Sequence, residues 1–302
     1  MIPRVPNAYA PYDILVEPAR VKSEIWRLCL GTALCVIVMI GLTQAMVELA
    51  RRALPSEVFA ALAEGLDRAQ TPAGVYFLLF LLVPLGIGAI VAAEVVHRRS
   101  AWTLVGPVPL AKQQFGQVLW MLALLYGAVA MLPPWSFTQN TDPGLAFGIW
   151  LRLLPFTILA IFVQVTCEEL AFRGYLQTQV AARFKHPVVW MVVPSAVFAL
   201  GHHLPELYGP NAWLITGWAF VFGLAAADLT ARSGTLGPAI ALHFANNFGA
   251  LAVTSMNSDM SGLSLFHLPF GPTDSAILRA WLPIDLAMTG LSWIAARIAL
   301  RR

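Results

Sequence analysis

Charged residues are scarce in this chain of 302 residues. Asp, Glu, Lys and Arg make up 12% of the sequence, whereas apolar residues make up 58%. Soluble domains contain about 25% charged residues, so this chain has too little polar surface to cover a water-soluble body. The composition predicts an all-α polytopic membrane protein.

Other absences narrow the possible functions. The net charge is only +3, which gives no indication of nucleic-acid binding. The three cysteines do not have the spacing of a metal motif, and we expect no structural disulfide. The N-terminus has no apolar core before Arg27. We therefore expect no cleavable signal peptide, and the first span itself should direct insertion.

The common protease signatures are also missing. The sequence contains no His-Glu-x-x-His of the common zinc proteases and no Gly-x-Ser-x-Gly nucleophile elbow. It also lacks the Gly-x-Gly-Asp of aspartyl intramembrane proteases and the Gly-x-Ser-Gly of rhomboid proteases. Any hydrolytic site must therefore use another set of residues.

What the chain does have is long apolar runs of about 20 residues, the length of a membrane-spanning helix. We predict one transmembrane domain over 1–302, with residues 1–24 as a polar cytoplasmic tail and residues 55–68 as either a helix on the membrane surface or an ordinary loop. The eight predicted spans are 26–49, 74–97, 113–133, 146–168 with a helical extension to about 184, 188–204, 211–231, 236–256 and 279–299.

The basic residues predict the orientation of these spans. Lys and Arg precede the first span and follow the second, fourth, sixth and eighth, whereas loops 134–145, 204–210 and 257–278 contain neither. Only Arg51, Arg52 and Arg68 break this alternation. Because basic loops face the cytoplasm, both termini are predicted to be cytoplasmic.

Two adjacent carboxylates end the fourth apolar run. Glu169 and Arg173 are four residues apart, so on a helix they share a face and can pair. Glu168 has no such local partner and is free to act. Ionisable groups inside a membrane are costly and usually functional, although a structural ion-pair network would also account for them.

The next two motifs have the same four-residue spacing. Phe198 and His202 share one helix face in the fifth span. Glu168 lies 17 residues before Lys185 and His202 lies 17 after it, so a hairpin turning near Lys185 would place both at one depth. The alternative is that His202 lies at the membrane interface, with its hydrogen bonds satisfied and no catalytic role.

His243 and Asn247 share a helix face in the seventh span, whereas Asn246 lies off that face. His243 lies seven residues after Leu236, or roughly 10 Å at 1.5 Å per residue. To match this depth, the hairpin that carries Glu168 and His202 must protrude into the cytoplasm.

One carboxylate, two histidines and one carboxamide at similar depth can catalyse hydrolysis. A desolvated Glu168 can act as general base toward water, and His202 can help position the water or donate a proton to a leaving amine. Asn247 and His243 can donate hydrogen bonds to an oxyanion. The residues Glu168, His202 and His243 could instead bind a divalent metal such as zinc with an open fourth position.

Together, Glu168-Glu169-x-x-x-Arg173, Phe198-x-x-x-His202 and His243-x-x-x-Asn247 resemble the motifs of the CAAX protease and bacteriocin-processing (CPBP, or Abi) family of intramembrane proteases. The resemblance covers residues 145–255. It implies a glutamate protease site inside the helix bundle, in which Glu168 activates water with help from His202. It also implies that His243 and Asn247 form the oxyanion site and that Glu169, Arg173 and Phe198 support the site.

The expected activity is cleavage of a membrane-bound or lipidated protein within the bilayer, and the expected location is a bacterial cytoplasmic membrane, which the chain would cross several times. No cofactor is required by the motifs beyond the metal alternative. A membrane scaffold or immunity protein that keeps the fold without turnover is a second hypothesis. A transporter that uses the carboxylates as a proton relay is a third, and the lack of an internal repeat counts against it.

Overall fold

The computed structural model describes residues 8–66, 69–133, 141–258 and 260–301. Several predicted features extend beyond these ranges. The start of the N-terminal tail, the end of the 55–68 segment with Arg68, most of the 134–145 loop, position 259 of the 257–278 loop and Arg302 lie outside the described residues.

Six helical segments in the described part of the chain are long and apolar enough to cross a bilayer. They are Ile25–Ala53, Pro72–Val96, Ala101–Met131, Phe147–Arg183, Pro205–Ser233 and Ser275–Leu300. The chain is thus an all-α polytopic membrane protein. The other two predicted spans are helical but shorter than the roughly 20 residues that a crossing needs: Pro187–Leu200, and Gly237–Phe248 with its π-helical extension Gly249–Val253.

Several of the long segments are built from consecutive helices. Their parts are Pro72–Phe80, Val83–Val91 and the π-helix Ala92–Val96; the 3-10 helix Ala101–Leu104 and Val108–Met131; Phe147–Glu169, the π-helix Leu170–Gln177 and Thr178–Arg183; and Pro205–Tyr208, the 3-10 helix Gly209–Asn211 and Ala212–Ser233. A further helix, Ser56–Leu66, confirms that the predicted surface segment is helical rather than an ordinary loop.

Three strands of two residues each form a small sheet between the loops. Phe266–His267 is the middle strand. It pairs antiparallel with Asp142–Pro143 and parallel with Thr254–Ser255. The sheet holds the segment that precedes the Glu168 helix against the segment that follows the His243 helix.

The N-terminal segment is more ordered than a polar tail. Residues Asp13–Arg20 form a helix, and the side chains of Leu15 and Val16 on it are buried. The Tyr9 hydroxyl donates a hydrogen bond to Asp228 at 2.8 Å. This segment therefore packs on the bundle at the same end as the turn that follows Asp228.

His97 connects this N-terminal segment to the helix of the two glutamates. Its Nδ1 lies 2.9 Å from the carbonyl oxygen of Lys22 and its Nε2 lies 3.0 Å from the Tyr175 hydroxyl. A carbonyl only accepts, so Nδ1–H donates to Lys22 and Nε2 accepts from Tyr175. Burial lowers the pKa of His97, which agrees with a neutral ring in this position.

Two tight turns at this end set the positions of the motif helices. Three residues, 184–186, connect Phe147–Arg183 to Pro187–Leu200, so these helices form the predicted hairpin. At the other turn, Gly234 has φ +73°, and a Cβ there would lie 2.4 Å from the carbonyl oxygen of Pro11. Only glycine fits both the backbone conformation and the close contact.

The helix Gly237–Phe248, which carries His243, lies at the centre of the bundle. Every residue from Gly237 to Ala245 is buried, and the helix packs against Val108–Met131, Phe147–Glu169 and Ala212–Ser233. Its first residue touches the neighbouring backbone, since a Cβ on Gly237 would lie 2.1 Å from the carbonyl oxygen of Ala111.

We expect the Gly237→Ala substitution to lower the free energy of unfolding by about 1–3 kcal/mol, because backbone must move to admit the methyl group. Thermal unfolding in detergent would measure the change. The matched control is Gly116→Ala in the exposed face of Val108–Met131, where nothing lies within 4 Å of the added Cβ. That variant should gain about 0.5–1 kcal/mol from helix propensity. Equal changes in the two variants would contradict the proposed close contact.

Candidate active site

The pair of Glu169 and Arg173 is completely buried. Arg173 Nη1 donates to Glu169 Oε1 at 2.9 Å, and the two side chains are 0–1% exposed. Arg173 Nη2 donates to the carbonyl oxygen of Gly223 at 3.3 Å, and the guanidinium lies 4.5 Å from the centre of the Phe198 ring. Arg173 therefore connects three helices, which fits the supporting role predicted for these residues.

His243 lies between the two glutamates. Its Nδ1 is 2.8 Å from Glu169 Oε1, and its Nε2 is 3.9 Å from Glu168 Oε2. Because an ionised carboxylate only accepts, Nδ1–H donates to Glu169. The sequence predicted that Arg173 would satisfy Glu169, and the structure adds His243 as a second partner. Glu169 therefore also fixes the orientation of the imidazole.

This contact agrees with the predicted offset between the two turns. Glu169 is 14 residues from Arg183 and His243 is seven from Leu236, which correspond to about 21 Å and 10 Å of helix. Because the side chains of Glu169 and His243 meet, the turn after Arg183 lies about 10 Å farther from this contact along the bundle than the turn before Leu236 does. The 37-residue helical segment Phe147–Arg183 would be about 55 Å long, which exceeds the roughly 30 Å hydrocarbon thickness.

Glu168 has a partner that the sequence motifs did not indicate. The side-chain amide of Gln164, one helical turn earlier, donates to Glu168 Oε1. Both side chains are buried, with Gln164 3% and Glu168 6% exposed. The one sequence signal for Gln164 was a polar residue one turn before Glu168 within an otherwise apolar run.

Asn247 joins the same group of side chains through Gln164. Asn247 Nδ2 donates to Gln164 Oε1 at 3.0 Å, and Asn246 Nδ2 donates to Asn247 Oδ1 at 3.2 Å. Asn247 is thus the asparagine that contacts the glutamate helix, as its spacing from His243 predicted. Asn246 contacts the side chain of Asn247.

His202 lies at the edge of this cluster. Its Nδ1 is 2.9 Å from the carbonyl oxygen of Phe198, and the ring of Phe198 lies 4.6 Å from that of His202 and 6.0 Å from that of His243. Among the described residues no hydrogen bond or ion pair joins His202 to Glu168, so their direct contact stays a prediction. His203 faces away, with its Nδ1 3.0 Å from Thr216 Oγ1.

The glutamates are buried, whereas the far side of the site is more open. His202 and Asn247 are half-buried, and Leu204 just beyond His202 is exposed. A cavity of about 1030 Å³ begins at Leu204 and extends between segments 204–208 and 269–274. None of the predicted site residues lines this cavity. The site is therefore a packed bundle interior that is most accessible beside His202 and Asn247.

The predicted metal ligands do not form a ligand set in this arrangement. In the ranges that the structure describes, no group of three or more His, Cys, Asp or Glu side chains is placed to hold a metal ion. His243 Nδ1 is directed at Glu169, and His202 Nδ1 at a helix carbonyl. These contacts use only Nδ1 of each ring and leave Nε2 as the possible ligand atom, so metal binding by Glu168, His202 and His243 stays a prediction, and no step below passes through a metal.

The comparisons with known proteins point to one family. Residues 150–249 match the family model described as type II CAAX prenyl endopeptidase Rce1-like, and this segment contains every predicted site residue and Gln164. The resemblance to the CPBP family is thus confirmed over residues 150–249.

A more distant similarity extends over a longer part of the chain. The uncharacterized protein YyaK of Bacillus subtilis (strain 168) is 25% identical over an alignment of 194 residues, which covers 61% of this chain and 63% of YyaK. The chain thus spans less than two thirds of this relative's length. No solved structure matches the chain.

Proposed function

We propose that this protein is an intramembrane endopeptidase that hydrolyses a peptide bond in a membrane-bound or lipidated protein. The observation that supports this most is the position of His243. Its Nδ1 lies 2.8 Å from Glu169 Oε1, which orients the ring, and its Nε2 lies 3.9 Å from Glu168 Oε2. This separation is longer than a hydrogen bond, and one water oxygen can contact both atoms.

In the proposed reaction Glu168 is the general base. It takes a proton from this water as the water oxygen bonds to the scissile carbonyl carbon, and the carbonyl π electrons move to its oxygen. The tetrahedral intermediate then collapses and the C–N bond breaks. The leaving nitrogen takes up the proton that Glu168 accepted, either directly or relayed by His202 at the open side, and the Glu168 carboxylate is restored.

The oxyanion of this intermediate needs donors. Asn247 Nδ2 has two hydrogens, and only one is used by Gln164, so the other can donate to the oxyanion. His243 Nδ1–H is committed to Glu169, so Nε2 is the atom of this ring that can face the oxyanion. Donors that are fixed before the reaction are the most effective; Gln164 fixes the Asn247 amide, and Glu169 fixes the orientation of the His243 ring.

We also propose that the Glu168 site faces the cytoplasmic side of a bacterial inner membrane, that both termini are cytoplasmic and that the two shorter helices complete eight crossings. The distribution of Lys and Arg supports this orientation. Single cysteines engineered into the basic and the non-basic loops would test this orientation. With a thiol reagent that does not cross the membrane, cytoplasmic positions should react only after the membrane is permeabilised.

The deciding experiment incubates the purified protein with a panel of membrane-protein and prenylated peptides and identifies products by mass spectrometry. We expect wild type to cleave at least one peptide and the Glu168→Ala and His202→Ala variants to cleave it far more slowly. A scaffold would behave differently. If wild type and both variants cleave nothing while one partner still co-purifies with all three, the protease proposal fails.

The same assay tests the reaction without a metal. Activity should persist after treatment with a chelator, because the site residues as arranged do not form a metal-ligand set. Loss of activity on chelation followed by its recovery on adding zinc would contradict this part of the proposal and would favour Glu168, His202 and His243 as ligands.

A further inference from the structure

Gln164 connects the two functional halves of the site. One end of its side chain donates to the proposed base Glu168 and the other end accepts from the proposed oxyanion donor Asn247. The side chain is 3% exposed and belongs to none of the three motifs. Both of its polar atoms are thus committed to residues of the reaction.

The charge on Glu168 determines the direction of this chain of hydrogen bonds. An ionised carboxylate can only accept, so Gln164 must turn its NH2 group toward Glu168 and its carbonyl oxygen toward Asn247. Asn247 must then donate from Nδ2, which leaves its Oδ1 to accept from Asn246. The opposite order would place two acceptors or two donors against each other.

We propose that Gln164 is a positioning residue that holds the Glu168 carboxylate and the Asn247 amide in their reactive orientations. The inference rests on the proposed function of the site. Gln164 itself touches no reacting atom. Gln164 stabilises the ionised form of Glu168 by donating to it. Because the carbonyl oxygen of Gln164 must then face Asn247, Asn247 presents its NH2 group, rather than its oxygen, toward the oxyanion.

The Gln164→Met substitution tests this role because methionine has a similar length and flexibility but no amide. We expect kcat to fall by about 10- to 100-fold, as is typical when a partner of a site residue is removed, with little change in KM. We also expect the acidic limb of the pH–rate profile to move to higher pH, since the ionised carboxylate loses a hydrogen-bond donor.

Gln177→Met is the matched control. Gln177 is fully buried in the same long helical segment, and its amide donates to the backbone carbonyl of Ala227 at 3.1 Å, well away from the catalytic set. This variant should lose a similar amount of thermal stability and keep the wild-type pH–rate profile. If both variants lose activity only in proportion to their melting temperatures, or if Gln164→Met keeps the wild-type kcat and profile, the positioning role is wrong.

A readout without turnover separates this inference from the proposed function. The infrared carboxyl band of Glu168, isolated by subtracting the spectrum of Glu168→Gln, can be titrated in wild type and in Gln164→Met. A midpoint at higher pH in Gln164→Met supports the positioning role even if no peptide is cleaved, whereas an unchanged midpoint overturns it even if wild type is an active protease.

Discussion

The Glu168→Gln variant is expected to cleave its substrate about 100- to 10,000-fold more slowly than wild type, the contribution of a positioned general base. Glutamine keeps the volume of the side chain, and its carbonyl oxygen can still accept from Gln164. What it loses is the ability to take a proton from water. Turnover measured under substrate-saturating conditions should therefore fall, while the melting temperature in detergent stays near that of wild type.

The control for this substitution is Glu94→Gln. Glu94 lies at the end of another long helical segment, where it is exposed and accepts from the backbone N–H of Ala101 at 3.3 Å. Its neutralisation should leave turnover unchanged. A Glu168→Gln variant that retains more than about a tenth of the wild-type rate would exclude Glu168 as the base, because that loss is below the range of general-base catalysis.

The sequence predicts the parts of this site that depend on residues close together in the chain. The spacing of four residues between Glu169 and Arg173, and between His243 and Asn247, directly specifies a shared helix face. In the structure Arg173 pairs with Glu169, and His243 and Asn247 both contact the helix of the two glutamates. Counting residues from the two turns also predicts an offset of about 10 Å between them, and the contact of Glu169 with His243 agrees with it. These predictions need only helix geometry and short connections.

Other features depend on packing between distant segments. A single Gln164 in an apolar helix has no pattern that identifies its partners, and Asn247 is 83 residues away. The π-helix Leu170–Gln177 next to the glutamates is likewise not visible in the apolar periodicity. Such π-helical turns are frequent at functional sites.

The lengths of two helices could not be predicted for a related reason. A window of about 20 apolar residues continues through 188–204 and 236–256, but the helices end at Leu200 and Phe248. After Leu200 the chain turns at Gly201–His202, where both backbone N–H groups bond to carbonyls of the last helical turn. After Phe248 a π-helical turn leads into the strand Thr254–Ser255. Hydropathy averaged over a window of about 20 residues does not detect either change.

The Arg173→Met variant is expected to lose about 3–5 kcal/mol of unfolding free energy, the usual cost of breaking a buried ion pair by removing one partner. Glu169 would keep the hydrogen bond from His243 but would lose its compensating positive charge, at a position that is 0% exposed. The carbonyl of Gly223 would also lose its donor. Thermal or denaturant unfolding in detergent would measure the change.

Two further variants separate the burial of charge from a general loss of packing. Arg52→Met breaks the pair of Arg52 and Glu48, whose side chains are 73% and 41% exposed, and should change the unfolding free energy little, because exposed ion pairs contribute little to stability. Combining Arg173→Met with Glu169→Gln removes both buried charges and should recover a large part of the lost stability. If the double variant is as unstable as Arg173→Met, packing of the guanidinium on Phe198 outweighs the charge. If Arg173→Met costs no more than Arg52→Met, the pair does not support the site, and the orientation of His243 must depend on other contacts.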